Sequence, residues 1–240
     1  LGELHLEVQF ERMKRKYHVD VVTEEPRIPY RETIRKAAEA QGKYKKQTGG
    51  HGQFGDCHVR IKPLPRGSGY EFVDAITGGV IPNKFIPSVD KGIQESAKKG
   101  FLAGFPVVDF AAECYFGSYH TVDSSDIAFQ IAGSMAFQKA AESASPVILE
   151  SIIEVEVVTP EAYMGDVIGD LNHRRGKILG MEQDGQKTHV KALVPQAELY
   201  KYATTLRSLT QGRAFHSRRL HGYEEVPANV QAKIVEAAKK

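Results

Sequence analysis

VILESIIEVEVVTPEAYMGDVIGDLNHRRGKILGMEQDGQKTHVKALVPQAELYKYATTLRSLTQGRAFHSRRLH, residues 147–221, decides the fold of the second half of the chain. Val147 to Val158 reads as a long strand ending at Thr159-Pro160, where proline sits in the first turn of a helix from Glu161 to about Arg174. Gly176 stops that helix. Ile178 to Gln183 and Lys187 to Val194 read as two strands joined at Asp184-Gly185, a short hairpin signal. Pro195 opens a second helix to about Leu209, and Gly212 starts a final strand to His221. The order βαββαβ is that of a ferredoxin-like unit. A last helix, Pro227 to Lys240, ends in Ala and Lys.

Upstream, residues 26–146 form a second α+β block. Ile28 to Lys36 reads as a strand, and the polar stretch Gly42–Gly55 joins it to another, Cys57 to Leu64, in which Val59 and Ile61 alternate with charges. Gly67–Gly69 turns into a third strand, Tyr70 to Ala75. Pro82 to Lys99 suits a helix with Phe85, Val89 and Ile93 on one side, closed by Gly100. In Val107 to Phe116 the alternation puts Val108, Phe110, Ala112, Cys114 and Phe116 on one face and turns Asp109 and Glu113 away. Asp123-Ser124-Ser125-Asp126 then supplies cap oxygen and first-turn acid for a helix to about Ala144. Its Ala128, Ala132, Ala136, Ala140 and Ala144 make a smooth face that lets a helix lie close on a sheet.

Residues 1–25 begin as a helix, with Leu6, Phe10, Met13 and Tyr17 at helical spacing, followed by a short alternating strand, His18 to Thr23. One helix and one strand cannot bury each other's apolar faces, so this segment reads as the last αβ unit of a domain whose earlier part is missing. The fold class is α+β: two α/β-sandwich domains, 26–146 and a ferredoxin-like 147–240 with its C-terminal helix, preceded by the 1–25 remnant.

Composition narrows the function classes. The 240 residues are 41% hydrophobic and 26% charged, ordinary for a soluble chain with real cores. No apolar run is long enough to span a membrane and no signal-peptide pattern opens the chain, so the expectation is a cytoplasmic, monomeric protein. The two cysteines, Cys57 and Cys114, have no metal-ligand spacing and read as unpaired thiols on strands. Net charge is +2, and no segment is strongly basic. RNA binding therefore has to come from local clusters such as Lys43-Tyr44-Lys45-Lys46, Arg174-Arg175 and Arg218-Arg219.

Two loops stand out. Gly50-His51-Gly52-Gln53-Phe54-Gly55 matches GxGxxG, but it follows a basic stretch and precedes a strand, whereas a dinucleotide site needs a strand before it and a helix after it. A projecting loop suits these residues better. Gly49, Gly50, Gly52 and Gly55 permit close backbone approach, Lys45, Lys46, Gln47, Thr48, His51 and Gln53 offer donors, and Phe54 is available to stack. The second loop, Gly117 to Asp123, carries Ser118, Tyr119 and His120 at its tip. Pairing Cys114 with His120 as nucleophile and base fails because Cys114 falls on a buried strand face. No GxxxxGK(S/T) occurs, which leaves this chain without a P-loop and without an expected catalytic or metal site.

With these stretches in view, the sequence resembles elongation factor G over its whole length. The resemblance is carried by Gly2-Glu3-Leu4-His5-Leu6-Glu7, Gly49 to Gly55, Gly117 to Ser125, Tyr163 to Leu171, and Tyr202 to Gly212. It implies that residues 1–25 end the family's third domain, that 26–146 are its fourth and 147–240 its fifth. It further implies a ribosomal partner, with Thr48–Gly55 and Ser118–Asp123 as the two apical loops at the tRNA–mRNA decoding site, His120 matching the loop histidine tied to translocation. Large-subunit RNA candidates are Arg174, Arg175, Thr210, Gln211 and Arg213. GTP and magnesium would belong to an N-terminal domain absent from this chain. His51, where the family commonly has arginine, and the basic final strand Ala214–His221 point to a divergent paralogue, for which ribosome recycling or ribosomal protection is an alternative role.

Overall fold

The computed structural model describes residues 3–47 and 52–238, and the chain divides into two compact units. One holds Tyr30–Leu149 with the chain from Glu225 onward; the other holds Pro29 and the chain before it with Glu150–Glu224.

In the first of these units, β1 (Arg31–Ile34) lies antiparallel to the start of β6 (Pro146–Pro160). The main sheet is built from β2 (Ala38–Lys46), β3 (Gln53–Pro63), β4 (Tyr70–Asp74) and β5 (Phe110–Ser118), in the order β2-β3-β5-β4. Only β4 and β5 run parallel, and the crossover between them carries α2 (Ile86–Lys99). Helix α3 (Asp126–Ser143) starts at Ser125, whose hydroxyl accepts from Ala128 N, the cap oxygen expected from sequence. The five alanines of the expected smooth face are all fully buried. They allow an unusually close approach: a Cβ on Gly42 of β2 would collide with the Ala132 carbonyl, and one on Gly55 of β3 with that of Ala128. Cys57, Val59, Ile61, Phe110, Ala112 and Cys114 turn inward against Val89, Ile93, Phe129 and Phe137 from the helices. All the helical cover lies on this one side of the sheet.

Three expectations for this unit change. β2 occupies part of the stretch read as a linker, so the glycine-rich segment joins two paired strands, Lys46 opposite Gln53. Phe116 does not face the core; it is 51% exposed. A register shift at His58/Val59 pairs Val59 with Cys114 but His58 with Phe116, leaving Tyr115 as the extra residue of a β-bulge that reverses the alternation beyond it. Asp109 is buried rather than turned to solvent, because its backbone takes a left-handed φ of 59° and its carboxylate accepts from Gly67 N and Gly69 N, both at 3.0 Å.

The other unit has the expected βαββαβ order: β6, α4 (Met164–His173), β7 (Lys177–Asp184), β8 (Lys187–Pro195), α5 (Tyr202–Leu209) and β9 (Phe215–Glu225). β8 lies between β6 and β7, and β9 pairs with the other side of β6, which is the ferredoxin-like arrangement. Val155, Val157, Val190, Ala192 and Val194 of the sheet meet Val167, Leu171, Tyr202 and Leu206 of the helices. The expected second helix is broken: a 3₁₀ turn at Gln196–Leu199 gives way to α5 through Lys201, held at φ 54°. Helix α1 (Glu3–Tyr17) forms, but the strand expected at His18–Thr23 does not. His18 adopts a left-handed φ of 53° that ends the helix, and Val22 is 88% exposed. Alternation alone does not hold a strand that pairs with nothing. The C-terminal helix α6 (Ala228–Ala238) belongs with the first unit, where Gln231 accepts from Ile148 N at 3.0 Å.

Candidate nucleic-acid interface

The β2–β3 hairpin and the loop after β5 are far apart in sequence, yet they meet at one end of the first unit. Phe54 N donates to Asp123 O at 2.8 Å, and Ser124 Oγ donates back to Phe54 O at 3.0 Å. Asp123 Oδ1 accepts from Gly52 N at 3.0 Å. Gly52, Phe54, His120, Asp123 and Ser124 are thereby locked into one double-loop tip. Thr48, Gly49, Gly50 and His51, which fall between the two strands in sequence, lie outside the described residues.

His120 is positioned with unusual definition for an exposed loop residue. Its N–H donates to Ser124 Oγ at 2.9 Å, and its Nδ1 faces the backbone N–H groups of Asp123 and Val122 at 3.2 and 3.4 Å. Asp123 Oδ2 stands 3.4 Å from the same nitrogen. With Nδ1 accepting from the backbone, the neutral ring carries its proton on Nε2, which leaves a donor for an acceptor outside the protein. The Phe54 ring lies 6.5 Å from the imidazole, and Lys43 Nζ lies 5.9 Å from the Phe54 centroid. Lys45, Lys46, Gln47, Gln53, Phe54, His120 and Asp123 line a small cleft of about 130 Å³. Ser118 turns away from it and donates to Asp56 Oδ2 at 2.7 Å, while Tyr119 is 45% exposed at the loop crest. This arrangement offers amide and ammonium donors, an imidazole N–H and aromatic faces, the set that phosphate and base contacts use.

The dinucleotide alternative loses its structural basis, because Gly52 leads into β3 rather than into a helix whose N-terminus could take a pyrophosphate. The Cys114–His120 pairing is equally unsupported: Cys114 is fully buried, and burial pushes its thiol up to about 12. Among the described residues, no group of three or more metal-ligating side chains comes together, and no helix is long and apolar enough to cross a membrane.

The candidates in the other unit divide sharply. Arg174 donates to Asp170 Oδ2 at 2.8 Å, to the Glu198 carbonyl and to Thr205 Oγ1, with its guanidinium 5.1 Å from the Tyr202 ring. Arg175, at a left-handed φ of 58°, forms a two-pronged pair with buried Glu150 at 2.8 and 2.9 Å and also reaches Glu198. Its hydrogen bonds to Glu150 raise an already high pKa against the cost of burial. Thr210 is fully buried, donating to Leu206 O and accepting from Ala214 N. These three fasten α4 and α5 to their surroundings. Gln211 and Arg213 are exposed. A doublet of arginines in the sequence looks like a surface cluster: Arg174 has Asp170 four positions away, but the carboxylates that Arg175 serves lie 23 and 25 positions away.

Comparison with known proteins gives two family matches, the second of which extends into the C-terminal helix that the structure places with the first unit. The family described as Elongation factor G, domain IV matches residues 26–145, and that described as Elongation factor G C-terminus matches 147–234. Elongation factor G of Aquifex pyrophilus is 59% identical over 235 residues, 98% of this chain and 34% of that protein. An elongation factor G-like protein of Thermotoga maritima is 55% identical, covering all of this chain and 35% of its own length. A crystal structure of a Thermus thermophilus protein superposes with a TM-score of 0.89 at 51% identity, over 99% of this chain and 36% of that one. The chain thus spans about a third of the length of the relatives it matches.

Proposed function

The chain belongs to the elongation factor G family, and on that premise we propose that it is the ribosome-facing part of a translational GTPase that promotes tRNA–mRNA translocation. The GTP and magnesium chemistry of such a factor would reside outside these residues, which contain no P-loop. The observation that carries the reading is the interlocked tip, Gly52–Phe54 tied to His120–Ser124 with an outward imidazole donor.

Such a tip does mechanical work only through differential affinity. Contacts made equally well to both ribosomal states shift nothing, whereas contacts available only after the tRNA has moved bias the equilibrium forward. A rigid double loop occupying the vacated decoding site would oppose the return of the tRNA. Lys45, Lys46, Gln47 and Gln53 supply phosphate donors around it, and we assign Thr48–His51, between them in sequence, to the same contact. On the other unit, exposed Gln211 and Arg213 are the residues we assign to large-subunit RNA, with Arg174, Arg175 and Thr210 holding the surface in shape. We place the protein in the cytoplasm, with no membrane partner.

Ribosome association of the chain as a function of salt tests the RNA-contact reading. Phosphate contacts release counterions, so binding should weaken steeply between 50 and 200 mM salt, by roughly tenfold or more for even a few phosphates. Binding that ignores salt, or no association at all, contradicts it. The histidine at position 51 and the basic β9 favour a second reading, a recycling or protection paralogue. Comparing peptide elongation with subunit splitting by the full-length factor separates the two.

A further inference from the structure

The β2-β3-β5-β4 sheet is covered by helices on one side only, and its other face carries a second set of side chains suited to nucleic acid. Register places them in rows. Glu39, Arg60 and Glu113 stand side by side, then Gln41, His58 and Phe116, then Lys43, Asp56 and Ser118, and at the tip Lys45 beside Phe54. The β-bulge is the decisive feature. By inserting Tyr115 between Cys114 and Phe116, it turns two consecutive aromatics toward the helix-free face, where a regular strand would have sent one of them into the core. His58 meets both, at 5.9 Å from the Tyr115 ring and 5.3 Å from the Phe116 ring, each edge-on. Arg60 covers the Tyr115 ring at 4.7 Å. Phe116 nevertheless leaves half its surface in water.

Charge on this face distinguishes possible occupants. Three of its four carboxylates are already engaged: Glu39 and Glu113 both pair with Arg60 at 3.1 Å, and buried Asp56 accepts from Gln41 and Ser118 at 2.7 Å, while exposed Glu71 lies across Ala111 from Lys62 at the far edge of the sheet. Lys43, Lys45 and Lys62 are exposed on the same face and have no carboxylate within ion-pair distance among the described residues. An aromatic cluster flanked by unneutralised ammonium groups fits a polyanion with flat bases.

We propose that the helix-free sheet face is a second RNA-binding surface, on which an unpaired base stacks on Phe116 beside His58 and Tyr115 while Lys43 and Lys62 meet the phosphates to either side. Strand geometry sets the span: Lys43 stands one row, about 7 Å, to one side of Phe116 and Lys62 two rows, about 14 Å, to the other, so together they cover about three phosphate spacings of an extended single strand. This surface uses none of the tip residues, so it stands or falls separately from the function proposed above.

The test uses the 240-residue chain and two probes, a fluorescein-labelled octauridylate followed by anisotropy and the same oligonucleotide carrying 4-thiouridine for cross-linking. The expected result is that Phe116→Ala weakens binding about tenfold, the loss of one stacked base, while Phe116→Tyr stays within about twofold of the parent. Cross-links should reach Tyr115 or Phe116. His120→Ala, a change at the tip, should leave this pattern in place. Thermal unfolding of each variant checks that the fold is retained, as expected for a half-exposed ring. Equal affinity of the parent and Phe116→Ala overturns the proposal. So do cross-links confined to residues 52–54 and 118–124, or an absence of RNA binding, the result expected if this face receives a protein.

Discussion

At the scale of single residues, the most consequential internal group is Glu32. It is 1% exposed, and its carboxylate accepts from the backbone N–H groups of Phe101, Leu102, Ala103 and Phe105 at 2.5–3.1 Å. The segment after α2 is shaped around that charge. Glu32→Gln keeps the size but supplies one acceptor in place of two and adds donors facing donors. We expect it to destabilise the chain by about 3 kcal/mol, read as a lower urea midpoint. His216 makes a pH prediction. Burial, with Arg218 beside it, holds the imidazole at a pKa of about 4, below its usual 6.5. The unfolded chain takes up the proton as pH falls through 6.5, and the folded chain does so only near 4. The contribution to stability is therefore full above 6.5 and is lost as pH falls toward 4. The ring is only half-buried, so water screens the effect and about 1 kcal/mol is expected. His216→Asn should flatten that part of the pH–stability curve, and an unchanged slope would remove His216 from the account.

At the scale of elements, the sequence was legible where periodicity and end signals agreed. Ser125 capping α3, the Asp184-Gly185 hairpin and the βαββαβ order all followed from local rules. β2 was hidden because its inward residues, Ala38, Ala40, Gly42 and Tyr44, are mostly too small to register as an apolar face, although they alternate with Glu39, Gln41, Lys43 and Lys45. The bulge at Tyr115 was invisible because a slip in register depends on the neighbouring strand. The break before α5 rests on Lys201 in a conformation that usually signals glycine. The joining of the two tip loops is a tertiary fact that each loop's composition only suggested. The close seating of α3 makes a sharp prediction: Gly42→Ala forces the helix backbone off the sheet and should cost about 2 kcal/mol. Gly169→Ala, in the exposed part of α4 with nothing near the added methyl, should be neutral or stabilise by up to about 1 kcal/mol. Comparing the two midpoints in urea checks both.

At the scale of the whole molecule, two α+β units of different topology share one chain, and each presents an exposed polar surface held rigid from within. In the first unit, hydrogen bonds between loops define the tip. In the other, Arg174 and Arg175 fix the C-terminal end of α4, and Gln211 and Arg213 are exposed. The family could be read from motif stretches because several of them occur in the same order along one chain. The internal use of the two arginines could not, since it depends on contacts across the fold. The central claim concerns the tip, and the imidazole of His120 is an exposed group that backbone contacts hold in place. Single-round translocation by the full-length factor carrying His120→Ala tests it most directly: loss of one hydrogen bond made only in the advanced state should slow the step about tenfold. A rate equal to that of the parent factor would contradict the claim.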